Sequence, residues 1–174
     1  MDCGGGQAFE MATRLFRKHP HRRPEISQAA SRKKPADFPV KFIFDTDTCI
    51  FLLRGLSEVV ARVQRVPPEE IAISSITRYE LLYGVKRCNP KFRKREADKV
   101  ERLIDMIQEL PFTAGIAEHA AEIRFQLEKT GKPIGPMDIL IAATALEADL
   151  DLITGNTREF SRIGRLRLQN WTVA

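Results

Sequence analysis

The chain has 174 residues, of which 43% are hydrophobic, and a formal net charge of +5, so one domain with a sizeable core is expected. No apolar run approaches the ~18 residues that span a bilayer, and no apolar segment near the start indicates a secretory signal, so no membrane contact is expected. The three cysteines, Cys3, Cys49 and Cys88, form no CxxC or zinc pattern and favour a reducing, cytoplasmic setting without disulfides.

The excess positive charge lies at the start of the chain. Residues 1–41 carry 9 Lys and Arg against 4 Asp and Glu, whereas residues 42–174 carry 19 of each. Residues 1–39 are punctuated by Gly and Pro and have no sustained apolar period, which predicts a disordered basic leader. A valine codon can serve as a bacterial start, so we hypothesise that the natural protein begins at Val40 and that the leader is a start-site artefact. If the body of the chain binds a polyanion, it must do so through local patches and bound metal, because the charges of residues 42–174 balance.

The first predicted elements meet at an aspartate. The apolar run Phe42–Phe44 stops at Asp45, and a second apolar run follows at 49–53, which predicts a buried strand, a tight turn and a helix. Ligands of open parallel sheets bind outside the carboxyl ends of the strands, so Asp45 lies where such folds keep their chemistry. Helix capping by Asp45 or Asp47 is the simpler explanation for these residues.

The middle of the chain alternates helices with short strands. The predicted elements are a helix over 59–66, a strand over 71–73, a helix over 76–88, a long helix over 91–110 and a candidate strand over 111–113. In the helix over 76–88, Glu80 should lie near the boundary of an apolar stripe, although most helical Glu residues are simply solvated. The apolar positions of that helix are Ile76, Tyr79, Leu81, Leu82 and Val85.

The last third of the chain adds a second candidate acid. Its predicted elements are a helix over 114–129, a helix beginning at Pro136, a strand over 150–154, a loop with a short helix over 155–160, and an edge strand over 165–168. Asp138 lies in the first turn of the helix that begins at Pro136, where interaction with the helix dipole is the simpler explanation. This helix is apolar nearly all round and should be buried. An acid at the start of a buried helix is a stronger indication of a functional site than an acid on a surface helix.

Alternating strands and helices predict an α/β fold with a mostly parallel central sheet. Acidic or amide side chains recur where strands give way to helices, with Asp45 and Asp47 after one strand, and Asn156 and Glu159 after another. Glu80 and Asp138 come from helices that could converge on the same edge, but sequence spacing alone leaves that convergence open.

Four separated segments resemble PIN-domain ribonuclease toxins of the VapC type, and the resemblance covers about residues 40–172. They are FDTDTCIFLLRG, ISSITRYELLYGVKR, GPMDILIAATA and LITGNTREFSRIGRLRLQNW. The resemblance implies a single three-layer α/β/α PIN-like domain. It also implies an endoribonuclease toxin that cuts structured RNA, such as a tRNA or rRNA loop, by water activated with Mg²⁺ or Mn²⁺.

The resemblance assigns roles residue by residue. Asp45 and Asp138 match the principal metal ligands, and Glu80 is a further ligand or orients the water. Asn156 or Glu159 could hold metal-bound water, and Glu159 is counted with Asp45, Glu80 and Asp138 among the candidate catalytic residues. Such oxygen ligands suit hard divalent cations. Two departures stand out, because Asp47 replaces a frequent Asn and Asn156 replaces a frequent Asp. Weaker candidates for contacts with carboxylates or RNA are Thr46, Thr154, Asn156, Arg78 and Arg158.

Two other functions fit parts of the sequence. FIFDTDT also fits the signature of haloacid-dehalogenase-like phosphatases, with Asp45 as nucleophile and Asp47 as acid/base, but no GDxxxD occurs downstream. An inactive PIN-fold binding module is the other alternative.

The resemblance further implies two protein partners, a small VapB-like antitoxin and a second copy of the chain in a homodimer. The apolar residues at 52–53 and in the helix over 59–66 could line an antitoxin groove, although burial in the core is the simpler interpretation.

Overall fold

The computed structural model describes residues 40–173. The predicted leader at 1–39 lies outside the described residues. Five parallel strands form one sheet in the order β3-β2-β1-β4-β5, which confirms the predicted parallel sheet. The strands are β1 Phe42–Phe44, β2 Ile71–Ser74, β3 Gln108–Leu110, β4 Asp151–Ile153 and β5 Leu168–Gln169.

Among residues 40–173, seven α-helices connect the strands. They are α1 Thr46–Arg54, α2 Ser57–Val63, α3 Ser75–Arg87, α4 Pro90–Met106, α5 Ala114–Lys129, α6 Pro136–Glu147 and α7 Thr157–Phe160, with a 3₁₀ turn at Pro68–Glu70. None of the helices in this part of the chain is long and apolar enough to cross a membrane.

Helices cover both faces of the sheet, so the predicted three-layer architecture is confirmed. Successive residues of a strand point to opposite faces. Phe44 accordingly packs in a core formed with α1, α2 and α4, whereas Ile43 packs in a second core formed with α5 and α6. Residues 52–53 and the apolar residues of α2 are buried in the first core, as the simpler interpretation predicted.

Two predicted boundaries around β3 are wrong. The long helix ends at Met106 instead of 110, and the third strand lies at Gln108–Leu110 instead of 111–113. Ile107 adopts an extended conformation, and Ala72 of β2 is the register partner of Gln108. Helical periodicity continues through Ile107, so only pairing with β2 reveals where the helix stops.

Three other local predictions need correction. Helix α1 begins directly at Thr46, so the polar residues after Asp45 form its first turn and not a separate turn. Helix α2 ends at Val63 and not at 66. The last strand is shifted to Leu168–Gln169, because Arg165 has a φ of 66°, a left-handed conformation that extended strands do not contain.

The apolar stripe proposed for α3 is partly wrong. Leu81 is buried, but Tyr79 is 54% exposed and Leu82 is 39% exposed. The apolar residues of this helix are spread around most of its circumference, and the core takes only one side.

Candidate active site

Asp45 follows the central strand of the sheet and is anchored by two hydrogen bonds. The backbone N–H of Thr46 donates to its Oδ1 at 2.7 Å, and the hydroxyl of Thr154 donates to its Oδ2 at 2.8 Å. The first bond caps α1, so the capping explanation is correct, and it places the same carboxylate at the carboxyl edge of the sheet. The side chain is only 4% exposed. This burial raises the pKa of Asp45 to about 6, although both hydrogen bonds act in the opposite direction.

Glu80 reaches the same region from α3. The hydroxyl of Thr46 donates to Glu80 Oε2 at 2.6 Å, so Thr46 binds Asp45 through its backbone and Glu80 through its side chain. The negative charge of Glu80 contributes to the raised pKa of Asp45. Glu80 is therefore not the freely solvated surface residue that the simpler explanation predicted.

Asp138 joins the site from the mouth of α6. Partial burial is the main reason that its pKa rises to about 7, and the negative charges of Asp45, Glu159, Glu80 and Asp47 raise it further. Because such charge interactions weaken with distance, Asp138 lies within electrostatic range of these four acids. The convergence that the sequence left open is present.

The loop after β4 supports the site from the other side. The hydroxyl of Thr154, which donates to Asp45, also accepts a hydrogen bond from the backbone N–H of Asn156 at 3.0 Å. The side-chain amide of Asn156 donates to Glu159 Oε2 at 3.0 Å. Asn156 therefore orients Glu159 and links it to Thr154, which is a different role from that of a carboxylate at this position.

Some candidates lie at the margin. Asp47 is exposed in the first turn of α1. The guanidinium of Arg78 forms an exposed ion pair with Glu109 at 2.7 Å. Arg158 is exposed in α7, next to Glu159. RNA contacts by Arg78 and Arg158 stay predictions.

The donor set suits a hard divalent cation. Among residues 40–173, no group of three or more His, Cys, Asp or Glu side chains could hold a metal ion as it stands. Mg²⁺, however, is usually bound by one or two carboxylates together with waters and substrate phosphates. Carboxylates with raised pKa values, as at Asp45 and Asp138, gain from a cation that offsets their mutual repulsion.

The sequence profile of the PIN domain matches residues 42–166. A protein of Shigella flexneri named tRNA(fMet)-specific endonuclease VapC is 35% identical over 133 residues, which cover 76% of this chain and 99% of that protein. This chain belongs to the VapC-type PIN-domain ribonucleases.

Solved structures agree with this assignment. The structure of DNA-bound VapBC from Salmonella typhimurium matches this chain with a TM-score of 0.71 and 34% identity. The match covers 76% of this chain and 98% of that chain. VapBC2 from Rickettsia felis, bound to a promoter DNA fragment, matches with a TM-score of 0.68 and 30% identity, covering 75% and 98%.

Membership of this family removes the phosphatase alternative. That mechanism needs Asp45 and Asp47 to point into one site. Here Asp45 is extended but Asp47 is helical, and side chains two positions apart on a helix face different directions.

Sequence reasoning missed Gly135, which sits directly beside Asp138. A Cβ added at Gly135 would lie 3.0 Å from Asp138 Oδ2. The φ and ψ of Gly135, −58° and 142°, are open to any residue, so the absence of a side chain matters here for space and not for backbone freedom. The only signal in the sequence is a glycine three residues before a candidate acid.

We expect Gly135→Ala to slow RNA cleavage roughly tenfold, because displacing the candidate catalytic carboxylate of Asp138 by a fraction of an ångström would spoil the geometry of the site. Gly164→Ala is the matched control, since a Cβ there meets nothing within 4 Å. Cleavage rates and melting temperatures of both variants should be compared. Equal rates for the two variants would show that Asp138 tolerates the added methyl group.

Proposed function

We propose that this chain is the toxin of a toxin–antitoxin pair and hydrolyses a phosphodiester bond of structured RNA, such as a tRNA or rRNA loop, with Mg²⁺ or Mn²⁺ as cofactor. The proposal is supported by the hydrogen bonds that link Asp45 and Glu80 through Thr46 after the central strand, and by the electrostatic interaction of Asp138 with Asp45, Glu80 and Glu159. The names of the VapC relatives support RNA as the substrate.

The four carboxylates are proposed to have different roles in the reaction. Asp45 and Asp138 are proposed as the principal metal ligands, with Glu80 as a further ligand or as the group that orients water. When bound, a divalent cation supplies Lewis acidity, which neutralises phosphate charge and lowers the pKa of coordinated water. Thr46 and Thr154 keep Asp45 fixed, and Thr46 also orients Glu80. Glu159, held by Asn156, is proposed to accept a proton from water at the edge of the site.

We also propose the protein partners that the resemblance implies. A small VapB-like antitoxin is supported by the VapBC complexes among the similar structures. Because 52–53 and the apolar residues of α2 are buried, an antitoxin cannot contact these side chains directly. A homodimer in a cytoplasmic setting completes the proposal, and sedimentation equilibrium of the purified chain tests the dimer.

Incubation of the full chain with total cellular RNA tests the activity. We expect discrete cuts with Mg²⁺ or Mn²⁺ and none with EDTA, and sequencing of the fragment ends will name the bond that is cut. A folded, metal-loaded chain that leaves all RNA intact would instead favour the inactive binding module. The same chain inactivated by heat is the control for contaminating ribonuclease.

A further inference from the structure

Helix α3 presents stacked aromatic rings to solvent. Tyr79 and Tyr83 are 54% and 52% exposed, and their ring centroids lie 6.2 Å apart with an angle of 7° between the planes. They lie four residues apart, on the side of α3 that faces away from the core residue Leu81. Exposed, parallel rings of this kind offer flat faces on which nucleobases can stack.

Positive charge is concentrated beside these rings. Residues 86–95 carry six Lys and Arg and no acid, whereas the remainder of 42–174 carries 13 Lys and Arg against 19 Asp and Glu. The five residues 91–95 are all exposed. The end of α3 and the start of α4 therefore form the local patch that a domain of balanced charge would need in order to hold a polyanion.

Cations and rings are interleaved in this patch. The guanidinium of Arg87 lies 5.7 Å from the ring centroid of Tyr83. The ring of Phe92, 43% exposed, has the Lys91 ammonium at 5.8 Å and the Arg95 guanidinium at 5.2 Å. Cationic groups next to aromatic faces are the combination that binds the phosphates and bases of single-stranded nucleic acid.

The patch begins at the acidic site. Glu80, Tyr83 and Arg87 are spaced three and four residues apart, so they follow one flank of α3. At a rise of ~1.5 Å per residue, Arg87 lies about 10 Å along the helix axis from Glu80. A strand of RNA bound along this flank would therefore extend to the carboxylates of the candidate active site.

We propose that the α3–α4 track, formed by Tyr79, Tyr83, Arg87, Lys91, Phe92 and Arg95, binds the single-stranded RNA that flanks the scissile bond. This inference rests on the proposed function, because it names substrate contacts for the same active site. The carboxylates repel phosphates, so the affinity for RNA must come from cations nearby, and the aromatic rings add contacts that tolerate any base. A two-fold contact through the same surface would instead set the cations of one copy against those of the other.

Fluorescence anisotropy with a labelled, unstructured RNA oligonucleotide tests the track. The full chain would carry Asp45→Asn to prevent cleavage. The track variant adds Arg87→Gln, Lys91→Gln and Arg95→Gln, and the matched control adds the same loss of charge on and just after α5, through Arg124→Gln, Lys129→Gln and Lys132→Gln.

We expect the track variant to bind RNA about 10- to 100-fold more weakly, with the slope of log affinity against log salt reduced by about 2, since each lost phosphate contact removes ~0.7 on single strands. The control should change affinity by less than about threefold, because its charges lie outside the track. Tyr83→Leu should weaken binding roughly tenfold, whereas Tyr83→Phe keeps the stacking face and should bind normally.

Equal losses in the track variant and the control would overturn the proposal, because RNA would then respond only to total charge. Unchanged RNA affinity together with dissociation of a dimer in sedimentation would assign the surface to a second copy. A failure of the proposed function has a different signature, since RNA would then bind through the track of the unmutated chain and remain uncut with metal.

Discussion

Asp45→Asn and Asp138→Asn are each expected to reduce RNA cleavage by about a thousandfold or more, because each removes a charge that has no substitute in the site. Both carboxylates have raised pKa values and both are proposed to bind the metal. Asparagine keeps the shape of the side chain but is a neutral and weaker ligand. The measurement is single-turnover cleavage of a labelled RNA at saturating Mn²⁺.

Both variants should still fold. In Asp45→Asn the amide oxygen can accept from the N–H of Thr46, and the hydroxyl of Thr154 can turn to accept from the new amide. Asp138 lies in the first turn of α6 at partial burial, where a neutral side chain is tolerated. Thermal unfolding of each variant, close to that of the parent, would show that lost activity reflects the site and not the fold.

Asp47→Asn is the matched control for this pair. Asp47 is exposed, and of the four acids that raise the pKa of Asp138 its charge contributes least. We expect this variant to retain most of the activity. Full cleavage by Asp138→Asn, or complete loss in Asp47→Asn, would contradict the assignment of ligands.

The sequence predicted the local structure around Asp45 and Asp138 but not that the acids of the site lie close together. Short apolar patterns predict the strand that ends before Asp45 and the buried helix that begins near Asp138. Contact between Thr46 and Glu80 spans 34 residues, and no local pattern encodes it. The sheet order, with β1 between β2 and β4, brings the ends of these strands together.

The failed predictions also have a physical pattern. Apolar periodicity shows that a helix has apolar positions, but it does not show which of them the core will take. In α3 the core takes Leu81 and leaves Tyr79 and Leu82 exposed. At the edge of the sheet, Gln108–Leu110 becomes a strand because β2 offers hydrogen-bonding partners there. Such choices depend on residues far away in the chain.

The pH dependence of stability is the second large effect that we expect. In the folded chain the pKa of Asp45 is raised from 3.8 to about 6, and that of Asp138 from 3.8 to about 7. The folded state therefore binds more protons than the unfolded state between those values. The free energy of unfolding of the metal-free chain should fall as pH rises from about 4 to about 7. Above about pH 7 the contribution of these two groups to stability should no longer change. For the buried Asp45 alone, a shift of about 2 units corresponds to about 3 kcal/mol.

A divalent cation should reverse this loss, because it binds the ionised carboxylates and not the protonated ones. Mn²⁺ is therefore expected to raise the melting temperature clearly at about pH 8 and hardly at all at about pH 5, where protons occupy the same oxygens. Differential scanning calorimetry with Mn²⁺ and with EDTA at both pH values measures the effect. In Asp138→Asn both the fall with pH and the gain from Mn²⁺ should shrink, because one of the two titrating ligands is gone. A gain from Mn²⁺ of equal size at both pH values, or one unaffected by Asp138→Asn, would place the bound cation away from Asp45 and Asp138.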